Sequence, residues 1–106
     1  MSFLNTPLSG QVRSIVFKDI DGWFAVALEF NIVESGDTHQ EVMILLDEAI
    51  RGYVEGARKA NLSIGVLNQE IDPEYEALWD SRESGIQYEG KQLYSASTQP
   101  LVALVA

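Results

Sequence analysis

At 106 residues, 46% of them apolar, the chain is long enough for one domain with one modest core. Sixteen acidic residues against seven Lys plus Arg give a formal charge of −9, which opposes non-specific binding to nucleic acid and would favour a basic partner, although many cytoplasmic proteins are simply acidic. The lack of cysteine excludes disulfides and thiolate chemistry, and no run reaches the roughly 18–20 apolar residues of a membrane span.

Residues 1–10, ending Pro7-Leu8-Ser9-Gly10, have no period and predict a flexible N-terminal arm. They also lack the positive cluster and apolar run of a secretory signal, so a cytoplasmic setting is expected. Residues 11–106 are read as a single domain, with a C-terminal extension over about 69–106.

Val12 to Lys18 alternates as a strand, with Ile15 and Phe17 on one face and Val12, Ser14 and Val16 on the other. Asp21-Gly22 closes a turn. Trp23 to Phe30 then alternates again, with Phe24, Val26, Leu28 and Phe30 sharing a face, which completes a β-hairpin. Ile32 to Glu34 predicts a third, shorter strand.

Thr38 and Glu41 have the spacing of a capping box, and Asp37 adds negative charge near the positive end of the helix dipole. Val42, Leu45, Leu46, Ala49, Ile50, Tyr53, Val54 and Ala57 recur at helical spacing, so a helix from Thr38 should fade between Arg58 and Asn61. Its stripe is expected to pack on the apolar face of the hairpin, and that pairing forms the core.

Ile64 to Leu67 suggests a short strand. Asp72-Pro73 starts a short second helix, with Tyr75, Leu78 and Trp79 on one side. Ile86 to Ser95 around Glu89-Gly90 suggests a hairpin. The apolar end, Leu101 to Ala106, is either a last strand or a segment docked on the core or on a second subunit. The fold class is therefore α+β: one main helix on a small antiparallel sheet, with a short second helix and C-terminal strands.

A catalytic reading finds little to work with. His39 is the single histidine and falls on the polar side of the main helix, where it reads as a surface residue. Asp19 and Asp21 are ordinary turn residues. No enzyme activity, cofactor or metal is expected. The candidate partner-binding residues are Trp23, Trp79, Glu29 and Glu34, the two tryptophans being either contact anchors or core. The acidic stretch Glu70, Asp72, Glu74, Glu76, Asp80 and Glu83 reads as a solvated face.

Asp21-Gly22-Trp23-Phe24-Ala25-Val26-Ala27-Leu28-Glu29-Phe30 resembles the second strand of the HicB antitoxin family, which opens with an acidic-Gly-aromatic turn. Ile32 to Thr38 looks like the family's strand leading into a Gly-Asp-Thr helix start, here Gly36-Asp37-Thr38, and Glu41 and Asp47-Glu48-Ala49-Ile50 fall at its helix positions. The resemblance implies a β-β-β-α-β unit in which Asp21, Gly22, Gly36, Asp37, Thr38 and Glu41 are structural. It further implies an antitoxin that neutralises a small basic ribonuclease toxin of the HicA type. The alternative is an orphan HicB-like domain acting as a self-associating or adaptor module, and a homo-oligomer is expected. The chain departs from the family in two places. Glu29 to Val33 stands where a Pro-Glu-Leu-Pro-Gly segment is common. Residues 62–106 hold only Arg82 and Lys91 as basic residues and no DNA-binding module, so no direct DNA binding is expected.

Overall fold

The computed structural model describes residues 5–6, 10–60, 64–84 and 89–101. Gln11–Asp19 (β1) and Gly22–Ala27 (β2) pair antiparallel with Asp19 opposite Gly22. Two features allow so tight a turn: the Asp21 N–H donates to Asp19 Oδ1 at 2.8 Å, and Gly22 takes a φ of 130°, open to glycine. Ile32–Gly36 (β3) returns beside β2, and Gln92–Pro100 (β4) runs antiparallel along the far side of β1. The result is a four-stranded antiparallel sheet in the order β3-β2-β1-β4.

His39–Lys59 (α1) is capped by Thr38, whose Oγ1 accepts from the Glu41 N–H at 3.1 Å. The Glu41 carboxylate does not return to the backbone of Thr38. It lies over Gly36, where a Cβ would stand 2.7 Å from Oε1. Gly36 is outside the left-handed region. What glycine supplies at this strand-to-helix step is therefore room, not an unusual φ.

α1 buries Val42, Leu46, Ile50, Val54 and Ala57 against Val12, Val16, Ala25 and Ala27. This is the small-residue face of the hairpin, not the large apolar face expected to receive the helix. The alanines let the helix come close. The larger face carries Ile15, Phe17, Val26 and Leu28, and Pro73–Asp80 (α2) covers it through Leu78 with Tyr75 and Trp79 alongside. The sheet is thus sandwiched between helices, with a core on each face. Phe30 also departs from expectation, because β2 ends at Ala27. The turn over residues 28–31, closed by the Asn31 N–H on the Leu28 carbonyl, carries Phe30 to the α1 side, where it stacks on Tyr53 at 4.9 Å.

Ile64–Leu67 is a 3₁₀ turn instead of a strand, closed by the Asn68 N–H on the Gly65 carbonyl. It stays beside the sheet because Tyr53 Oη donates to the Val66 carbonyl at 2.5 Å and the Gln69 N–H reaches the Glu29 carbonyl. The expected hairpin around Glu89-Gly90 falls partly on residues 85–88, outside the described residues. From Gln92 onward the chain pairs with β1, so among the described residues the C-terminal strands are one strand, β4. Leu101 is buried, and its N–H donates to the Gly10 carbonyl; 102–106 lie outside the described residues. Within the stretch read as an arm, Asn5 is buried. It donates to the Leu67 carbonyl, accepts from the Gln11 N–H and exchanges two hydrogen bonds with Asn68.

Candidate protein-binding surface

Three elements bring aromatic rings together at one end of the sheet. Trp23 opens β2, His39 opens α1, and Tyr94 belongs to β4. Tyr94 reaches the group because β4 is bulged there: Phe17 pairs with Leu93 while the next residue, Val16, pairs with Ser95. The extra residue falls out of register, and a bulge of this kind re-aims its side chain. His39 stacks on Tyr94 with centroids 4.3 Å apart and planes at 26°. Trp23 meets both edge-on, at 5.3 Å from His39 and 5.4 Å from Tyr94. Such geometries match positive ring edges to negative faces and fix the rings relative to one another. The His39 Nδ1 is enclosed and has no hydrogen-bond partner among the described residues. The imidazole is held by stacking, so His39 is part of a built cluster, not the plain surface residue expected of it.

Beside the rings lies an open depression of about 480 Å³, walled by Lys18, Asp19, Trp23, Gln92 and Tyr94 among others. The Lys18 ammonium sits 5.6 Å from the Trp23 ring centre. Tyr94 keeps 52% of its surface exposed.

The first turns of α1 extend this surface. Met43 follows His39 by one turn on the same face and is 45% exposed, while Ile44, about 140° round the helix from His39, is 60% exposed. Glu41 and Glu48 lie three and four residues from Ile44, the spacing that sets side chains next to one another on a helix. Both glutamates are exposed, as is Asp37. Ile44 is thus flanked by carboxylates, whereas Lys18 and Asp19 are the charged residues beside the rings.

Other candidates from the sequence are occupied within the fold. Glu29 accepts from Arg13 Nε at 2.6 Å and from the Arg13 backbone N–H at 2.7 Å. Arg13 also grips Glu76 with both terminal nitrogens, at 2.7 and 3.0 Å, joining β1, the turn after β2 and α2. The hydrogen bonds from Arg13 hold the Glu76 carboxyl below its ordinary value, and the same carboxylates raise the guanidinium. Trp79 lies between Arg13 and Arg82, whose guanidinium carbons are 5.3 and 4.4 Å from the ring centre. Lys91 pairs with Glu74, which raises its ammonium pKa. Burial and the charges of Asp72 and Glu74 push the Tyr75 phenol up. Glu76 and Glu74, read as part of a solvated face, therefore hold α2 and the start of β4 in place. Glu34 lies on the edge strand β3 opposite Ala25, half-buried.

Of the sequence candidates, Trp23 alone enters the aromatic cluster. His39, Tyr94, Met43 and Ile44 complete the surface. One signal for the last two was present: the five-residue apolar run Val42 to Leu46 is more than one helix face can bury. The bulge that turns Tyr94 has no counterpart in the residue pattern.

Among the described residues no helix is long and apolar enough to cross a membrane, and no group of three His, Asp or Glu side chains could hold a metal ion. No family model matches the chain, and no curated protein or solved structure is significantly similar to it.

Proposed function

We propose that the chain is a cytoplasmic, HicB-like protein-binding domain that neutralises a small basic ribonuclease of the HicA type. The observation that carries this reading is the exposure of Tyr94 and Met43 beside the stacked rings, with Ile44 exposed between Glu41 and Glu48 farther round α1. Rigid aromatic and aliphatic side chains are the usual anchors of a protein interface. The surrounding carboxylates, in a chain of net charge −9, speed the approach of a cationic partner and disfavour an acidic one. A surface that covers the RNA-binding face of a basic nuclease needs both properties.

The test is capture from host lysate with the tagged chain, in parallel with a Tyr94→Ala/Ile44→Ala variant of unchanged circular dichroism. The reading expects a small basic protein that cleaves RNA when freed, is silenced by an equimolar amount of the chain and is lost from the variant. A captured partner without nuclease activity would leave an adaptor role in place of the antitoxin role. Equal capture by the variant would remove the patch from the account.

A further inference from the structure

The sheet has two edges of opposite character. β3 is five residues long and carries Glu34, with Asp37 just beyond it. β4 is nine residues long, and the sequence from Gln92 to Ala106 contains no Asp, Glu, Lys or Arg. Strand edges are ordinarily guarded by charge, proline, bulges or a covering segment, because their free N–H and C=O groups template further pairing. On β4 the Tyr94 bulge and Pro100 guard the ends only. Between them Ser95–Gln99 pairs regularly with β1 on one side, and its outer backbone groups take no partner among the described residues.

We propose that β4 is a self-association edge, along which a second copy of this chain pairs antiparallel so that two four-stranded sheets become one. Charge selects this occupant. Two copies at −9 each repel one another over most of their surface, and repulsion is least where the seam itself is neutral. A basic partner gains nothing at an uncharged edge and is better served by the patch on α1. A two-fold axis through Ser97 sets Ser97 against itself, Ala96 against Thr98 and Ser95 against Gln99. No like charges meet, and hydroxyls and amides can bond across the seam. This pairing goes beyond the partner-binding reading and stands without it.

The absence of cysteine makes a direct test available, since an introduced thiol is the sole one in the chain. Antiparallel partners at a two-fold axis have Cα atoms about 4.5–5.5 Å apart, within the disulfide range. The proposal expects light scattering to give twice the 11.8 kDa chain mass at micromolar concentration and above. It expects S97C to form a disulfide-linked dimer on mild oxidation while V33C, exposed on β3, does not. S97K, which sets two lysines face to face, should be a folded monomer by circular dichroism. A monomeric wild type at every concentration would overturn the proposal. So would a dimer that survives S97K while S97C stays uncrosslinked. Should S97K fail to fold, the contrast between S97C and V33C decides alone.

Discussion

His39 and Tyr94 stack face to face, 4.3 Å apart, across the gap between the first turn of α1 and the bulge of β4. The contact ties the helix start to the edge strand β4. It also decides what that end of the molecule shows to a partner: a fixed phenol ring beside an imidazole and an indole, with Met43 one helical turn from His39.

Tyr94→Ala removes the most exposed ring of this surface while leaving both cores intact. Partner affinity should fall roughly thirty-fold, equivalent to about 2 kcal/mol. The melting temperature should change little. Titration calorimetry with the captured partner, beside a thermal melt of the free variant, separates the two effects.

Glu76→Gln breaks the double grip of Arg13 on α2. A carboxyl held below its ordinary value of 4.5 binds protons less readily folded than unfolded, so its contribution is present above that value and is lost as pH falls through the lower folded value. Because the side chain is partly exposed, the loss near neutral pH is modest, about 1 kcal/mol or less. Urea unfolding at pH 7 and again in acid should show the gap between wild type and variant closing as the solution is acidified. A gap that widened in acid would mean the ion pair is not formed.

Ala25→Leu tests which face of the sheet receives α1. Ala25 is fully buried beneath the helix, so four-carbon bulk there should destabilise by about 1–3 kcal/mol or more through overpacking. A variant as stable as wild type in chemical denaturation would show that the helix does not lie over this residue.

Thr38→Ala removes the Oγ1 that accepts from the Glu41 N–H. The cost should be about 0.5–2 kcal/mol, seen as a lower denaturation midpoint. Thr38→Ser should restore most of it, because the accepting hydroxyl is retained.

The order of elements was legible in the sequence because each boundary has a local cause. Asp21-Gly22 makes the hairpin turn, Thr38 caps the main helix, and Asp72 with Pro73 starts the second. Layering was less legible. Alternation shows that Phe24 and Ala25 point to opposite faces but not which face the larger helix takes, and the small residues proved to be its seat. Phe30 breaks the alternation because β2 ends at Ala27 and residues 28–31 form a turn, with the Asn31 N–H on the Leu28 carbonyl. Glu29 and Trp79 looked available for a partner because Arg13, their tertiary neighbour, is far from Trp79 in sequence and unremarkable in type. Tyr94 depends on a register shift between β1 and β4, which arises only when two distant strands meet.

Hydrogen exchange of the chain, free and bound to its captured basic partner, locates the binding surface along the sequence. Binding through Tyr94 and the exposed side chains of α1 predicts new protection in the first turns of α1, over residues 39–48, and in the stretch around Tyr94. Protection confined to α2 and the Arg13–Glu76 side, with 39–48 exchanging as in the free chain, would contradict it.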